Sequence, residues 1–288
     1  MTTATLKTWG QIKQYTWDHR WKKQKSAEND TKSRIARLTH YWGDSLPLRH
    51  LEKGHTFVTL QDDLISDYDI SNARVNKIVS AATTALDYTC KLGLHSTRAP
   101  YFERLQEDES RQAWYTKDEV DKLAFIAVDL FDRQELADAI LFSAYTGLRR
   151  GEFLRLRVQD VDLTTNVVWV GGRPETSTKT NSTRSVPIND KIKHLVLKRL
   201  ELKKKGLLFG DEWLNKHQLY KQFMKVKKRA GFDEAYCWHS LRHSFCTWAG
   251  TVSHPRTIMA AAGHKSMDTT LKYCKAVDEE VHAMIAKL

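Results

Sequence analysis

What this chain lacks narrows its chemistry first. Four cysteines (Cys90, Cys237, Cys246 and Cys274) are scattered through 288 residues without a CxxC pair. That spacing writes neither a disulfide framework nor a zinc knuckle, so free thiols are expected. No apolar run approaches the ~18 residues a membrane span requires. The N-terminal MTTATLKTWGQIKQY has no apolar stretch of signal-peptide type, which makes the cytoplasm the default setting. No GxxxxGK[ST] loop and no HExxH pattern occur, so neither the usual nucleotide-phosphate cradle nor a zincin site is signalled. Internal repeats and low-complexity segments are absent as well.

What is present is positive charge. Lys and Arg number 46 against 35 Asp and Glu, for a net +11, which points to a polyanionic partner. Residues 1–60 carry 11 basic side chains against 5 acidic ones, residues 61–115 carry 6 against 9, and residues 116–288 carry 29 against 21. The basic surface is therefore split between two parts of the chain. With 41% hydrophobic and 28% charged residues, the composition is that of a folded globular protein.

The length suits two domains. Trp9, Ile12 and Tyr15 share one helical face, and Val75, Ile78, Val79, Ala82, Ala85 and Leu86 fall at helical spacing before Gly93. The first ~110 residues read as all-helical. The polar QEDESRQ marks a boundary between about 105 and 116, and TKDE at 116–119 is a capping box that opens a new helix. Leu136, Ala137, Ile140, Leu141 and Ala144 form another stripe, stopped at Thr146–Gly147. The period then changes: VVWVGG (167–172) and TRSVPI (183–188) read as short strands. Helical patterns return from Lys191. The expected fold class is mainly α with a small antiparallel β-sheet, divided into domains 1–110 and 111–288. Val277, Val281, Met284, Ile285 and Leu288 make a final apolar stripe on a helix too short to stand unpacked.

Four short stretches hold groups suited to work on a phosphate. In TGLRRGE (146–152), Arg149 follows a glycine turn with Glu152 three residues on; alone, this reads as a helix start with an ion pair. STKTNSTRSVPI places Lys179 near the loop between the two strands, with Arg173 and Arg184 as neighbours that compete for its position. HSLRH (239–243) admits two readings. His239 and His243, four apart on a helix, could hold a metal, or His239 and Arg242 could face an anion. The stretch has no carboxylate and Arg242 repels a cation, so the anion reading is preferred and His243 is left as a structural helix residue. AAGHKSMDTTLKYC supplies His264 and, nine residues later, Tyr273. Cys274 has no assignable role.

Taken in order, T-G-L-R-x-G-E, T-K-T before a V-P strand, H-x-L-R-H, then G-H and a tyrosine nine residues on resemble the tyrosine recombinase (phage integrase) family over roughly residues 114–288. The first ~110 residues resemble that family's helical core-DNA-binding domain only in general character. The resemblance implies a two-domain, C-shaped clamp on double-stranded DNA, a homotetramer at attachment sites, and a C-terminal helix exchanged between subunits. Host or phage DNA-bending accessory proteins are candidate further partners, and the bacterial cytoplasm, at the nucleoid when DNA-bound, is the setting. It implies that Arg149 and Arg242 hold the scissile phosphate and that Tyr273 forms a 3′-phosphotyrosyl link. Lys179 would protonate the leaving 5′ oxygen, His239 would assist proton transfer with the tyrosine, His264 would hydrogen-bond a phosphate oxygen, and Glu152 would steady Arg149. Neither metal nor cofactor is implied. The helical domain begins within ten residues of Met1, so no arm-binding domain is expected ahead of it.

Elementary chemistry agrees with these roles. Charge gathers on the non-bridging oxygens of a pentavalent phosphorus, and guanidinium forks match them. A phenol with a pKa of about 10 attacks only as a base takes its proton. A covalent link stores the bond energy, so no ATP site is required. Two other readings remain at this point: a type IB topoisomerase-like nicking and resealing enzyme, and a DNA-binding regulator without catalysis.

Overall fold

The computed structural model describes residues 5–24, 27–68, 70–107, 113–171, 183–213 and 215–274. Lys179, Arg173 and the C-terminal apolar stripe lie outside the described residues. The chain divides into two compact units, Met1–Ser110 and Arg111–Leu288.

Among the described residues the first unit holds four α-helices: α1 (Trp9–His19), α2 (Lys32–Trp42), α3 (Gly54–Tyr68) and α4 (Asn72–Lys91). A capping box starts α1: the Thr8 side chain accepts from the Gln11 amide while the Gln11 side chain accepts from the Thr8 amide, a motif worth about 1 kcal/mol. Trp9, Ile12 and Thr16 are the buried residues of α1. Thr16 thus takes the third inward position, where the apolar pattern places Tyr15. It can do so because its hydroxyl donates to the Ile12 carbonyl at 2.7 Å, leaving no polar group unsatisfied. The apolar face of α4 packs with Trp9, Leu38, Phe57 and Leu64 in one core.

In the second unit the Thr116–Glu119 capping box opens α5 (Lys117–Asp129). Helix α5 packs against α6 (Gln134–Thr146), which Gly147 ends in the left-handed region at φ +63°. A short α7 (Arg150–Phe153) follows at once. Among the described residues three antiparallel strands come next, in the order β1 (Val161–Asp162), β2 (Val167–Val170) and β3 (Arg184–Pro187). Val168 pairs with Val186 and Val170 with Arg184, which turns Val168, Val170 and Val186 into the core. The sequence pattern predicts β2 and β3; β1, two residues long, carries no periodicity to read. The remaining helices are α8 (Asp190–Leu202), α9 (Lys216–Arg229), α10 (Trp238–Gly250), α11 (Pro255–Ala262) and α12 (Met267–Leu271). The mainly helical class with a small antiparallel sheet is therefore what the chain adopts. No described helix is long and apolar enough to cross a membrane.

Helix α10 carries the HSLRH stretch, and aromatic packing fixes its start. Trp238 lies 5.8 Å from the Phe153 ring and 5.2 Å, edge-on, from Phe223. Phe153 in turn contacts Phe209 at 5.0 Å. Farther along α10, the Tyr115 amide donates to Ser244 Oγ at 2.8 Å and Trp248 Nε1 donates to the Tyr115 carbonyl at 3.1 Å. Both ends of the helix are thereby tied to the body of the unit. Trp238→Ala is expected to cost about 3–5 kcal/mol, from lost transfer energy plus a residual cavity. The midpoint and slope of chemical denaturation measure this, and a loss below about 1 kcal/mol would place the anchor of α10 elsewhere.

Candidate active site

Two turns and one helix bring the candidate residues together. The left-handed Gly147 ends α6 and lets the chain re-enter a helix within three residues, so that Arg149 becomes the N-cap of α7. A side chain at Gly147 would also strike the Phe245 ring, 2.4 Å from an ideal Cβ. Gly263, at φ +67°, ends α11 in the same way and turns His264 inward. Helix α10 carries His239, Arg242 and His243 on one side.

The arginines are held by backbone oxygens and one carboxylate. Arg149 Nη1 donates to Glu152 Oε1 at 3.0 Å, its amide to Oε2 at 2.9 Å, and its Nη2 to the Gly263 carbonyl at 2.8 Å. Arg242 Nη1 donates to the Gly147 carbonyl at 2.6 Å. Arg242 is buried, and its Nη2 has no hydrogen-bond partner among the described residues. Burial, then the neighbouring Arg149, lowers its pKa to about 10, which leaves it charged at neutral pH. A buried guanidinium nitrogen without an acceptor is a costly arrangement that an oxygen anion relieves.

Glu152 serves a second arginine that the motif reading passed over. Arg184, on β3, donates from Nη2 to Glu152 Oε2 at 2.8 Å and from Nη1 to Oε1 at 3.2 Å, and from Nε to the Ala261 carbonyl at 2.8 Å. One carboxylate thus joins α7 to β3, and Arg184 joins β3 to the end of α11. Burial pushes the Glu152 pKa up, but the Arg184 hydrogen bond and the Arg149 amide outweigh it and hold the carboxyl at about 2. In the sequence Arg184 appears only as a rival to Lys179. Its place in a strand before V-P gives no sign of a partner 32 residues earlier.

The histidines and the tyrosine form a second group. His264 is buried, with Nδ1 2.9 Å from the Thr270 hydroxyl and Nε2 4.0 Å from Cys246 Sγ. Burial first, then Arg242 and Arg149, lower its pKa to about 4. The Tyr273 ring stacks on His264 at 6.0 Å and on His243 at 5.7 Å. Its Oη hydrogen-bonds Nδ1 of His243. His239 packs edge-on against His243, 4.7 Å between ring centres. Desolvation within the site, then Arg242, lowers the His239 pKa.

His243 is the clearest departure from expectation. Read as a structural helix residue, it is instead the histidine in contact with the Tyr273 oxygen. Helical spacing puts 239 and 243 on one face and cannot say which of them a distant tyrosine meets. Gly250 decides it: an ideal Cβ there would lie 2.2 Å from the Tyr273 carbonyl oxygen, so the missing side chain is what seats the tyrosine backbone against α10. Beside this group lies a cavity of about 1170 Å³, lined by Arg149, Arg155, Arg157, Arg184, Arg256 and Lys265 among others. Its basic wall suits a polyanion. Among the described residues no three His, Cys, Asp or Glu side chains are grouped to hold one metal ion.

Comparison with known proteins bears on this arrangement. Residues 113–280 match the model of the phage integrase family. The integrase of Escherichia phage P2 is 26% identical over 306 residues, covering 96% of this chain and 83% of that protein. Tyrosine recombinase XerA of Saccharolobus solfataricus is 32% identical over 141 residues, 47% of this chain and 44% of its own. Among solved structures, the Tn1549 transposon integrase in complex with transposon right end DNA superposes with a TM-score of 0.81 at 18% identity, covering 97% of this chain and 99% of that one. A lambda integrase tetramer bound to a Holliday junction gives 0.74 at 19% identity, over 93% and 77% of the two chains. At these identities the two superpositions establish a shared fold.

The carboxylate at the centre of the site generates a test of its own. The Glu152 pKa is depressed from 4.5 to about 2, so its contribution to stability is full above about 4.5 and is lost as pH falls through about 2. Glu152→Gln should therefore destabilise the protein at pH 7 by up to about 3 kcal/mol. The gap between variant and wild type should narrow as the pH drops below about 4.5. Denaturation curves across that range measure it, and a gap independent of pH would show that the arginines do not hold this carboxylate.

Proposed function

The chain belongs to the phage integrase family, and from that premise we propose that it is a tyrosine-type site-specific recombinase. It cuts and rejoins double-stranded DNA at attachment sites through a 3′-phosphotyrosyl intermediate. The observation that carries this reading is the convergence of Arg149 and the buried, half-satisfied Arg242 on two turns beside one phenol.

In the proposed reaction, the scissile phosphate sits between Arg149 and Arg242, whose charges stabilise the non-bridging oxygens as phosphorus becomes five-coordinate. Glu152, shared with Arg184, keeps the Arg149 fork from swinging to solvent. His264 accepts a hydrogen bond from the Thr270 hydroxyl at Nδ1, which leaves Nε2–H to donate to a phosphate oxygen. Tyr273 Oη attacks phosphorus, and the bond to the 5′ oxygen breaks with its electron pair. Lys179 protonates that leaving oxygen, and His239 assists the proton movements around the tyrosine. In the rejoining step a 5′ hydroxyl attacks the phosphotyrosine and the phenol leaves.

The unit spanning residues 1–110 is proposed as a core-DNA-binding domain, consistent with the basic excess of its first 60 residues. Residues 111–288 are proposed as the catalytic domain, with the Val277–Leu288 stripe as a helix exchanged between subunits. Exchange of strands between two duplexes calls for four active tyrosines, hence a homotetramer on DNA, with DNA-bending proteins of host or phage as further partners. Such an enzyme works in the cytoplasm, at the nucleoid.

Lys179 is tested by changing the leaving group. A duplex with sulfur at the bridging 5′ position leaves as a thiolate, which needs no acid. Lys179→Ala should cleave the ordinary strand slower by ~10²-fold or more and the sulfur-bridged strand at close to the wild-type rate. Arg149→Ala should be slow on both, because its charge acts on the non-bridging oxygens. Equal impairment of Lys179→Ala on the two substrates would make the lysine a phosphate-positioning group instead of the acid.

A further inference from the structure

The roles above give His239 a share in the proton movements around Tyr273, yet the ring nitrogen that hydrogen-bonds Oη is that of His243. An acceptor must lie within hydrogen-bond reach of Oη. Three histidines surround the site, and their ring nitrogens are differently placed. His264 uses Nδ1 on Thr270, with Nε2 4.0 Å from Cys246 Sγ. His239 meets His243 edge to face. His243 alone among the described residues has a ring nitrogen hydrogen-bonded to Oη.

The contact is built into α10 and not left to a mobile side chain. His243 and Gly250 are seven residues apart, two turns of one helix face. The bare Cα of Gly250 admits the Tyr273 carbonyl, and from there the tyrosine ring runs back along the helix to His243. His264 also stacks on the ring, 6.0 Å between ring centres, so that the phenol contacts two imidazoles. A residue kept only for packing needs neither the alignment of Nδ1 with Oη nor a glycine two turns away.

We propose that His243 is a catalytic residue, the base that takes the Tyr273 proton during strand cleavage and returns it during rejoining. This rests on Tyr273 being the nucleophile. As Oη attacks, its lone pair forms the bond to phosphorus and the O–H bond breaks toward Nδ1 of His243, whose lone pair receives the proton. The P–O5′ bond breaks with its pair going to the 5′ oxygen, which is protonated by the separate acid. The imidazolium so formed then sits against the phosphotyrosyl oxygen. In rejoining it donates the same proton back to the departing phenol, and the imidazole is neutral again.

The electrostatics suit a base that is empty at rest. His243 faces His239 and Arg242 on its own helix, His264 after α11, and Tyr273 after α12. Burial first, then His239, Arg242 and His264, lower its pKa to about 4, so Nδ1 is unprotonated at neutral pH. Burial, then Cys246, raises that of Tyr273 to about 12, so the phenol keeps its proton until substrate arrives. A phosphodiester on Arg149 and Arg242 cancels part of the positive charge around the ring. The imidazole becomes more basic when there is something to attack.

The test acidifies the nucleophile, so that a base is no longer needed. The assay is single-turnover adduct formation by the full chain, at saturating protein. Its substrate is a nicked suicide duplex carrying the attachment core repeated in DNA flanking the gene. His243→Asn keeps an acceptor near the place of Nδ1 but cannot take a proton, and should slow adduct formation by ~10²-fold or more. Replacing Tyr273 with 3,5-difluorotyrosine, a more acidic phenol, should restore most of that loss while changing the wild-type background far less. Wild-type rates from His243→Asn, or a slow variant that fluorination leaves equally slow, would overturn the proposal. A melting curve for each variant separates chemistry from misfolding; if His243→Asn unfolds, His243→Ala is read in its place, with the same slowing and the same rescue by fluorination expected, and with wild-type rates or a failed rescue overturning the proposal. Absence of any adduct from the wild-type chain would instead defeat the recombinase reading itself, and this outcome is distinct from the others.

Discussion

The site depends on one carboxylate shared by two arginines. Glu152 accepts from Arg149 on its own short helix and from Arg184 on β3. Arg184 reaches on to Ala261, and Arg149 to Gly263. Three segments far apart in sequence are thereby closed around a cluster whose net charge stays positive. Two guanidiniums so close would repel each other if unshared. A half-buried carboxylate between them screens that repulsion and leaves donors over for an anion. Without Glu152 the two guanidiniums would face each other unscreened, each left with one backbone carbonyl, at Gly263 and at Ala261.

Glycines set the second half of the geometry. Gly147 and Gly263 adopt left-handed backbone where a side chain would strain. Both also leave their carbonyls as acceptors, for Arg242 and Arg149 respectively. Gly250 works by size instead, admitting the Tyr273 backbone against α10. The rigid aromatic anchorage of Trp238 beneath α10 means that these close contacts share one frame. The site is thus assembled by backbone carbonyls at turns as much as by side chains, which suits a substrate bound through its phosphate.

Much of this was legible in the sequence, for identifiable reasons. Local rules write themselves in local residues: the Thr116–Glu119 cap, the stop at Gly147, and the alternation in β2 and β3 all depend on neighbours within four positions. The positions of Arg149, Arg242, His264 and Tyr273 came from motif order, and the fold brings them together. What could not be read were pairings across the chain. Arg184 finds Glu152 across 32 residues, and His243 finds Tyr273 across 30. No periodicity records such a match. Thr16 escaped for a different reason: a search for apolar residues passes over a hydroxyl that satisfies itself on its own helix. The place of Lys179 lies outside the described residues, and its role rests on the motif alone.

The central claim is that the Tyr273 phenol becomes covalently joined to DNA. The direct measurement traps the wild-type chain on a nicked suicide duplex, digests the adduct with protease and nuclease, and maps the modified peptide by mass spectrometry. The account predicts a nucleotide remnant on Tyr273, attached through its 3′ phosphate. A remnant on another residue, a 5′-linked remnant, or cleavage without a covalent adduct would contradict it.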